Sequence, residues 1–361
     1  MGLADRDYNR ASAQSGGLRG PGWTATTWIM VLCVAAFLLD AFVLPPAWRF
    51  VGKSFANPSA AQAPERALEV GPIQALPQAP QSGVQNIIAH TDRGDAIIGQ
   101  NRYQRVPFLQ KWLGFSTSTA LADWIPGEGF QGLEVWRFLG FQFVHFNLMH
   151  LIFNMLGLYF FGPIIERYLG SRRFIVFYLL CGCCGALLYL LLNGGGLLVN
   201  ALTGGRAVLP GFLLYDPTSP LIGASAGVIG VVIASARLHP DETVYLFFAI
   251  PIRLATLAWG LVLIALAAIF IPGISDNAGG EAAHLGGAIA GWLLIRNPQR
   301  LHSVLDLIGR ADPSRVVARV RSGAAKRSDA EIDRILEKIS REGFASLSEK
   351  EKRQLRDASR Q

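Results

Sequence analysis

Between Thr27 and Ile295 the chain runs six times through apolar stretches nearly free of charge: Thr27 to Leu44, Leu148 to Glu166, Phe174 to Leu192, Ile222 to Ala236, Leu254 to Ile271 and Ala282 to Ile295. A hydrocarbon layer about 30 Å thick takes about 20 residues of helix to cross, so each stretch predicts a crossing. The fourth and sixth are short and rich in Gly and Ala, as befits helices surrounded by other helices. The first lies too deep in the chain for a secretory signal, and Leu44-Pro45-Pro46-Ala47 offers no small-residue cleavage site. Composition agrees: 51% of the 361 residues are hydrophobic and only 16% charged, and mean hydropathy is +0.33. A soluble chain of this length carries more charge. The net charge of +7 sits in flanks and loops, which suits anionic lipid rather than nucleic acid. Cys33, Cys181, Cys183 and Cys184 fall inside apolar runs without His or acid at ligand spacing, so they read as packing residues.

Basic residues orient the spans. Arg6, Arg10 and Arg19 precede the first; Arg167, Arg172 and Arg173 separate the second and third; Arg237 and Arg253 lie between the fourth and fifth; Arg296 and Arg300 follow the sixth. All these places fall on one side. The opposite loops hold only Arg206 between residues 193 and 221 and no basic residue between 272 and 281. Both termini are therefore expected in the cytoplasm. Three regions follow: a cytoplasmic segment over 1–26, a membrane domain over 27–296 with an insertion at about 45–107 in its first loop, and a charged tail over 297–361. The Ala-, Pro- and Gln-rich stretch from Ser54 to Gln85 has no sustained period and reads as a flexible insertion. Between Phe108 and Phe143, Trp112, Trp124 and Trp136 accumulate without reaching spanning length, which predicts a segment lying along the outer leaflet. In the tail, Ser328 with Glu331 and Ser348 with Glu351 have capping-box spacing. Ile332, Ile335, Leu336 and Ile339 fall on one helical face. A cytoplasmic helical hairpin is expected, either docking a cytoplasmic partner or packing on itself.

The polar residues inside the apolar stretches collect at one level. Ser225 and His284 lie a few residues into spans that start from the outer face, and His145, His150 and Asn154 mark the start of the second span on that same side. Ionisable groups at such depth are costly and usually mark function. A serine hydroxyl needs a base before it can attack a carbonyl, and a neutral histidine suits the task. His150 and Asn154, four apart, share a helical face and can converge on one spot. The Ser225 backbone amide, near a helix N-terminus, adds a donor for developing negative charge. Gly223 with Gly227, and Gly287 with Gly291, have the G-x-x-x-G spacing that lets helix backbones approach. No acidic residue is evident as a third member, which agrees with a Ser-His dyad.

These residues resemble the rhomboid intramembrane serine proteases. The segments "EVWRF" (134–138), "HFNLMHLIFNMLG" (145–157), "ERYLGSRRF" (166–174), "GASAGVIG" (223–230) and "AHLGGAIAGW" (283–292) are similar to that family's signatures, in its order. The resemblance implies an all-α, six-helix membrane bundle with Ser225 as nucleophile, His284 as general base, and His150 and Asn154 at the oxyanion. It assigns Trp136 and Arg137 to an outer-leaflet loop, Glu166 to a polar network at the cytoplasmic ends, and the fifth span to the side where a substrate helix arrives. Two positions depart: Ala226 stands where many members have glycine, and Ile229 where an aromatic is frequent. The expectation is an endopeptidase of the cell membrane that needs no cofactor or metal, contacts the lipid bilayer and cleaves transmembrane proteins near the outer face. The alternative is a catalytically silent rhomboid-like protein that binds membrane clients. A proton-coupled transporter is disfavoured, because the middles of the spans hold no Asp or Glu and no inverted repeat is evident.

Overall fold

A computed structural model describes residues 23–55, 68–91, 94–121, 123–125, 129–207, 209–214, 216–246, 249–271, 273–275, 277–301, 334–343 and 346–352. The chain divides into two units, residues 1–298 and 299–361. In the first, helix α1 (Ala25–Phe42) leads into strands β1 (Ala47–Phe55), β2 (Leu68–Val70), β3 (Gln74–Leu76), β4 (Ala79–Thr91) and β5 (Gly94–Val106). Helices α2 (Phe108–Leu113) and α3 (Thr117–Ala120), a hairpin of β6 (Asp123–Ile125) and β7 (Gly129–Gln131), and α4 (Arg137–Gly140) follow. Then come α5 (Leu148–Leu169), α6 (Ser171–Leu202), α7 (Ser225–Leu238), a hairpin of β8 (Thr243–Leu246) and β9 (Ile250–Arg253), α8 (Leu254–Phe270) and α9 (Ala278–Arg296). By length and composition α1, α5 and α6 can each cross a membrane, while α7 and α8 are shorter apolar helices.

The all-α expectation is corrected: the described residues contain three antiparallel sheets, the largest with β1-β5-β4-β2 in order and β3 beside β4. The stretch expected to be flexible, Ser54 to Gln85, instead supplies β2, β3 and the first part of β4 of this sheet, apart from residues 56–67, which lie outside the described residues. Its inward face explains why the alternation is invisible to hydropathy. Across β4 and β5, Gly83 opposes Tyr103, Gln85 opposes Asn101 and Ile87 opposes Gly99, and all six are buried. Small residues face large ones, and the central pair is polar. Gln85 accepts from Asn101 Nδ2 at 3.1 Å and from the Tyr103 hydroxyl at 3.0 Å, so its burial carries no unpaired acceptor. Phe50, Tyr103, Trp48 and Ile73 complete the apolar side.

Among the helices, the largest difference from the sequence expectation is α6, which continues beyond Leu192 to Leu202. Asn193 and the following glycines look like a loop, yet they form a contact surface. Asn193 is fully buried and donates to the Tyr189 hydroxyl at 3.3 Å. A Cβ at Gly195 would strike the Phe212 ring, and one at Gly196 the Leu213 carbonyl. Gly195 and Gly196 thus let the following loop lie directly on the helix.

At the other end of the bundle, α1 starts on a carboxylate borrowed from α5. Glu166 accepts from Ala25 N at 2.7 Å, Thr26 N at 2.9 Å, the Thr26 hydroxyl at 2.6 Å and the Ser171 hydroxyl at 2.7 Å. First-turn N–H groups have no partner within their own helix, and a carboxylate also complements the helix dipole. Removing it by Glu166→Ala is expected to cost about 2–4 kcal/mol, because several buried donors lose their acceptor together. Thermal unfolding of the solubilised protein checks this; an unchanged midpoint contradicts it. At the opposite end, Arg137 is buried, pairs with Glu134 and donates to the carbonyls of Lys111 at 2.6 Å and Gly114 at 2.7 Å. Trp136 is half-exposed and donates from Nε1 to the Trp112 carbonyl at 3.2 Å. Together they tie α4 to α2. Asp40, in the last turn of α1, accepts from Leu109 N at 2.7 Å and Gln110 N at 3.2 Å, fixing the start of α2.

Within the second unit, residues 334–342 and 349–352 are helical. The box of Ser328 and Glu331, with Ile332, lies outside the described residues; so do Arg6, Arg10 and Arg19 of the first segment. The second box forms: Glu351 Oε2 accepts from Ser348 N at 2.7 Å and its hydroxyl at 2.8 Å, while Ser348 Oγ accepts from Glu351 N at 3.3 Å. Lys338 Nζ reaches the same carboxylate at 3.1 Å. Ile335 is buried, but Leu336 is 49% exposed, so the apolar face is narrower than expected. The Ser348 backbone N–H and hydroxyl, aided by Lys338, hold the Glu351 carboxyl down to about 2. A depressed carboxyl contributes stability above its ordinary value and loses it as pH falls through the folded value. The protection of the amides at residues 348–352 of the full chain, taken relative to the intrinsic exchange rate at each pH, is therefore expected to be unchanged down to about pH 4.5 and to fall from there to about pH 2.

Candidate active site

Three helix starts converge at the end of the bundle opposite Glu166; along α5, His150 stands about 24 Å from Glu166 at 1.5 Å per residue. Asn147 caps α5 by accepting from His150 N at 2.8 Å, and Asn277 caps α9 by accepting from Gly280 N at 3.2 Å. Ser225 is the first residue of α7. Its position depends on Gly223, whose φ of +128° is unfavourable for other residues and where a Cβ would lie 2.5 Å from His150 Cε1. Gly223 N donates to the Phe141 carbonyl at 2.9 Å, and Ala224 N donates to His145 Nε2 at 3.4 Å. The turn ahead of the serine is thereby held from both sides.

His284 Nε2 stands 2.8 Å from Ser225 Oγ. This meets the hydrogen-bond geometry of a nucleophile and its base. Ser225, His284, His150 and Asn154 line one cavity of about 710 Å³, with Val228, Ile229 and Tyr189 on its walls. The His150 ring is fixed between His145, at a centroid distance of 5.2 Å, and the stacked ring of Phe146 at 6.3 Å. Asn154 Nδ2 donates to the His150 carbonyl at 2.9 Å; an amide nitrogen carries two hydrogens, so one remains for the cavity. His145 is buried behind His150 and does not line the cavity. Trp136, Arg137 and Glu166 stand apart from it, in the contacts described above.

Backbone contact brings the serine and histidine helices together through Gly287 and Gly291 of α9, but α7 meets them with residues other than Gly223 and Gly227. A Cβ on Gly287 would overlap the Ala226 carbonyl oxygen, and one on Gly291 the Gly230 carbonyl oxygen. The face of α7 that meets α9 is thus Ala226 and Gly230. Gly223 abuts His150, and Gly227 meets the Tyr178 ring of α6, where a Cβ would lie 2.5 Å from Cε2. Helical spacing identifies small-residue pairs but not their partners. Ala226 is accommodated by another glycine: a Cβ on Gly185 of α6 would lie 2.7 Å from the Ala226 methyl.

One residue was missed. His284 Nδ1 lies 3.1 Å from Glu281 Oε2, with the two side chains 22% and 19% exposed. The expectation that no acid stands beside the histidine is therefore corrected. Its signal is present in the sequence as Glu-x-x-His, three residues apart on one helical face.

The fold and site define a class: a helical membrane protein in which a serine and a histidine from different helices are hydrogen-bonded in a cavity near one end of the bundle. The Rhomboid domain model matches residues 132–296, so the chain carries a segment similar to the rhomboid domain and is an integral membrane protein. A second model, a family of unknown function (DUF6576), matches residues 324–361. Among relatives, RHOMBOID-like protein 12, mitochondrial, of Arabidopsis thaliana is 34% identical over 43% of this chain and 44% of its own length. Rhomboid protease GlpG of Haemophilus influenzae is 26% identical over 55% of this chain and 88% of its own length. GlpG of Klebsiella pneumoniae is 25% identical over 38% of this chain and 42% of its own length. The matched segment thus spans less than half of the plant relative and of the Klebsiella relative.

Proposed function

We propose that this chain is an intramembrane serine endopeptidase that cleaves transmembrane proteins near the outer membrane face. The single observation that carries the reading is the 2.8 Å hydrogen bond between Ser225 Oγ and His284 Nε2. Ser225 Oγ attacks the scissile carbonyl while its proton passes to His284 Nε2. The C–N bond then breaks, the amine departs with that proton, and water releases the acyl group from Ser225 by the reverse path. The oxyanion faces His150, the free hydrogen of Asn154 and the Ser225 backbone amide, whose helix dipole favours negative charge.

Six helices, α1 and α5 to α9, cross the membrane in this reading, with both termini cytoplasmic and the tail over 297–361 on that side, free to dock a cytoplasmic partner. Supporting it, Arg237 of α7 and Arg296 of α9 both stack on Trp292, at 5.3 and 5.6 Å, so these basic ends lie at one level. A cavity of about 580 Å³ between α5 and α8, bordered by Phe153, Phe160 and Leu257, opens beside the site. Phe153 borders both cavities, which supports substrate arrival between these helices. Because a regular helix hides its carbonyls, substrates that unwind easily are favoured.

The test is labelling of the purified full chain with a fluorophosphonate, together with co-expression against single-span reporters. Labelling at Ser225 and reporter cleavage are expected. Neither labelling nor cleavage selects the catalytically silent, client-binding alternative.

A further inference from the structure

We infer that Glu281 is a positioning residue for His284, setting its tautomer so that Nε2 is free to take the Ser225 proton. The inference rests on the Ser225-His284 reading and adds a member which that reading lacks. Both ring nitrogens are engaged: Nε2 lies 2.8 Å from Ser225 Oγ and Nδ1 lies 3.1 Å from Glu281 Oε2. A neutral imidazole carries one ring proton. With that proton on Nδ1, the Nε2 lone pair faces the serine hydroxyl and accepts from it; with the proton on Nε2, the ring is a donor and cannot act as base.

An ionised carboxylate only accepts, so Glu281 favours the Nδ1–H form. Among the described residues it is the only hydrogen-bond partner of Nδ1. The beneficiary and its partner share α9, three residues apart, so the helix backbone fixes their separation with little side-chain entropy to lose. Asn277, which caps α9, fixes where that helix begins and so where the carboxylate stands. Val228 and Ile229, which line the same cavity, are aliphatic and offer Nδ1 no competing partner. The other titratable groups lining the cavity are His150 of α5 and Tyr189 of α6, neither of which offers a carboxylate. Glu281 also faces the positive charge that His284 acquires when it takes the serine proton, an interaction made fully only at that moment.

The test uses the full chain in lipid nanodiscs, with histidine labelled by nitrogen-15 and the His284 signals assigned by comparison with His284→Ala. The Nδ1–H tautomer is expected in the wild type and a shift toward Nε2–H in Glu281→Leu. On a single-span reporter, Glu281→Leu is expected to lose about 10- to 100-fold in kcat with KM nearly unchanged, and Glu281→Gln, which keeps an acceptor, to recover part of the loss. An Nε2–H tautomer in the wild type overturns the inference without any variant having to fold. So does a Glu281→Leu protein with wild-type kcat. If Ser225 takes the fluorophosphonate while the tautomer proves wrong, only the role of Glu281 falls; if Ser225 takes no label and no reporter is cut, the protease reading itself falls.

Discussion

Ser225→Ala and His284→Ala are each expected to reduce reporter cleavage by about 10⁴-fold or more, and the double substitution to be no worse than either single one. The physical reason is that in the proposed mechanism the two side chains perform one act. Without His284 the serine proton has no acceptor at 2.8 Å, and without Ser225 the base has no hydroxyl to activate. Whatever rate remains comes from the oxyanion donors and from binding, which neither change removes. His150→Ala, which removes one of those donors, is expected to cost less, about 10²–10³ in kcat. Gel-based cleavage of a single-span reporter in proteoliposomes, quantified by initial rate, measures all four. Losses that add up across the double variant would mean that Ser225 and His284 act separately. Undiminished cleavage in either single variant would remove the mechanism.

Much of this arrangement is legible in the sequence, and what is not fails for identifiable reasons. Hydropathy locates the apolar part of a helix, not its start. The last apolar stretch begins at Ala282, whereas α9 begins at Ala278 behind the Asn277 cap. That offset leaves Glu281 looking like a loop residue, although it lies on the helix beside His284. The same blindness shortens α6, because Asn193 and its glycines lower the local hydropathy while packing tightly. In the first-loop insertion the buried face of the sheet contains Gln85 and Asn101, hydrogen-bonded to each other, so alternation exists in burial but not in polarity. That Ser225, His284, His150 and Asn154 share one level follows from chain direction and the charge pattern, and these four meet in one cavity. Which glycine touches which helix is a tertiary fact. Gly223 and Gly227 have the spacing of a seam, yet one is needed for a turn against His150 and the other for a tyrosine ring.

Gly287→Ala is expected to lower both stability and cleavage, by about 1–3 kcal/mol for the overpacked contact and about 10²-fold in rate. The added methyl has nowhere to go. It would overlap the carbonyl oxygen of Ala226, the residue next to Ser225, and the obstacle is backbone rather than a side chain that can turn away. Relief requires α7 and α9 to part, and these are the helices that carry Ser225 and His284. A displacement of about 1 Å is enough to cost two orders of magnitude in rate when reacting groups must be held in line. Gly260→Ala in α8 is the matched control, since a Cβ there meets nothing within 4 Å. Replacing a helical glycine in open space is expected to raise stability slightly, by about 0.5–1 kcal/mol, and leave cleavage unchanged. Thermal unfolding and reporter cleavage on the same two preparations decide the matter. If both alanines behave alike, close backbone contact at Gly287 is not what holds the serine to the histidine.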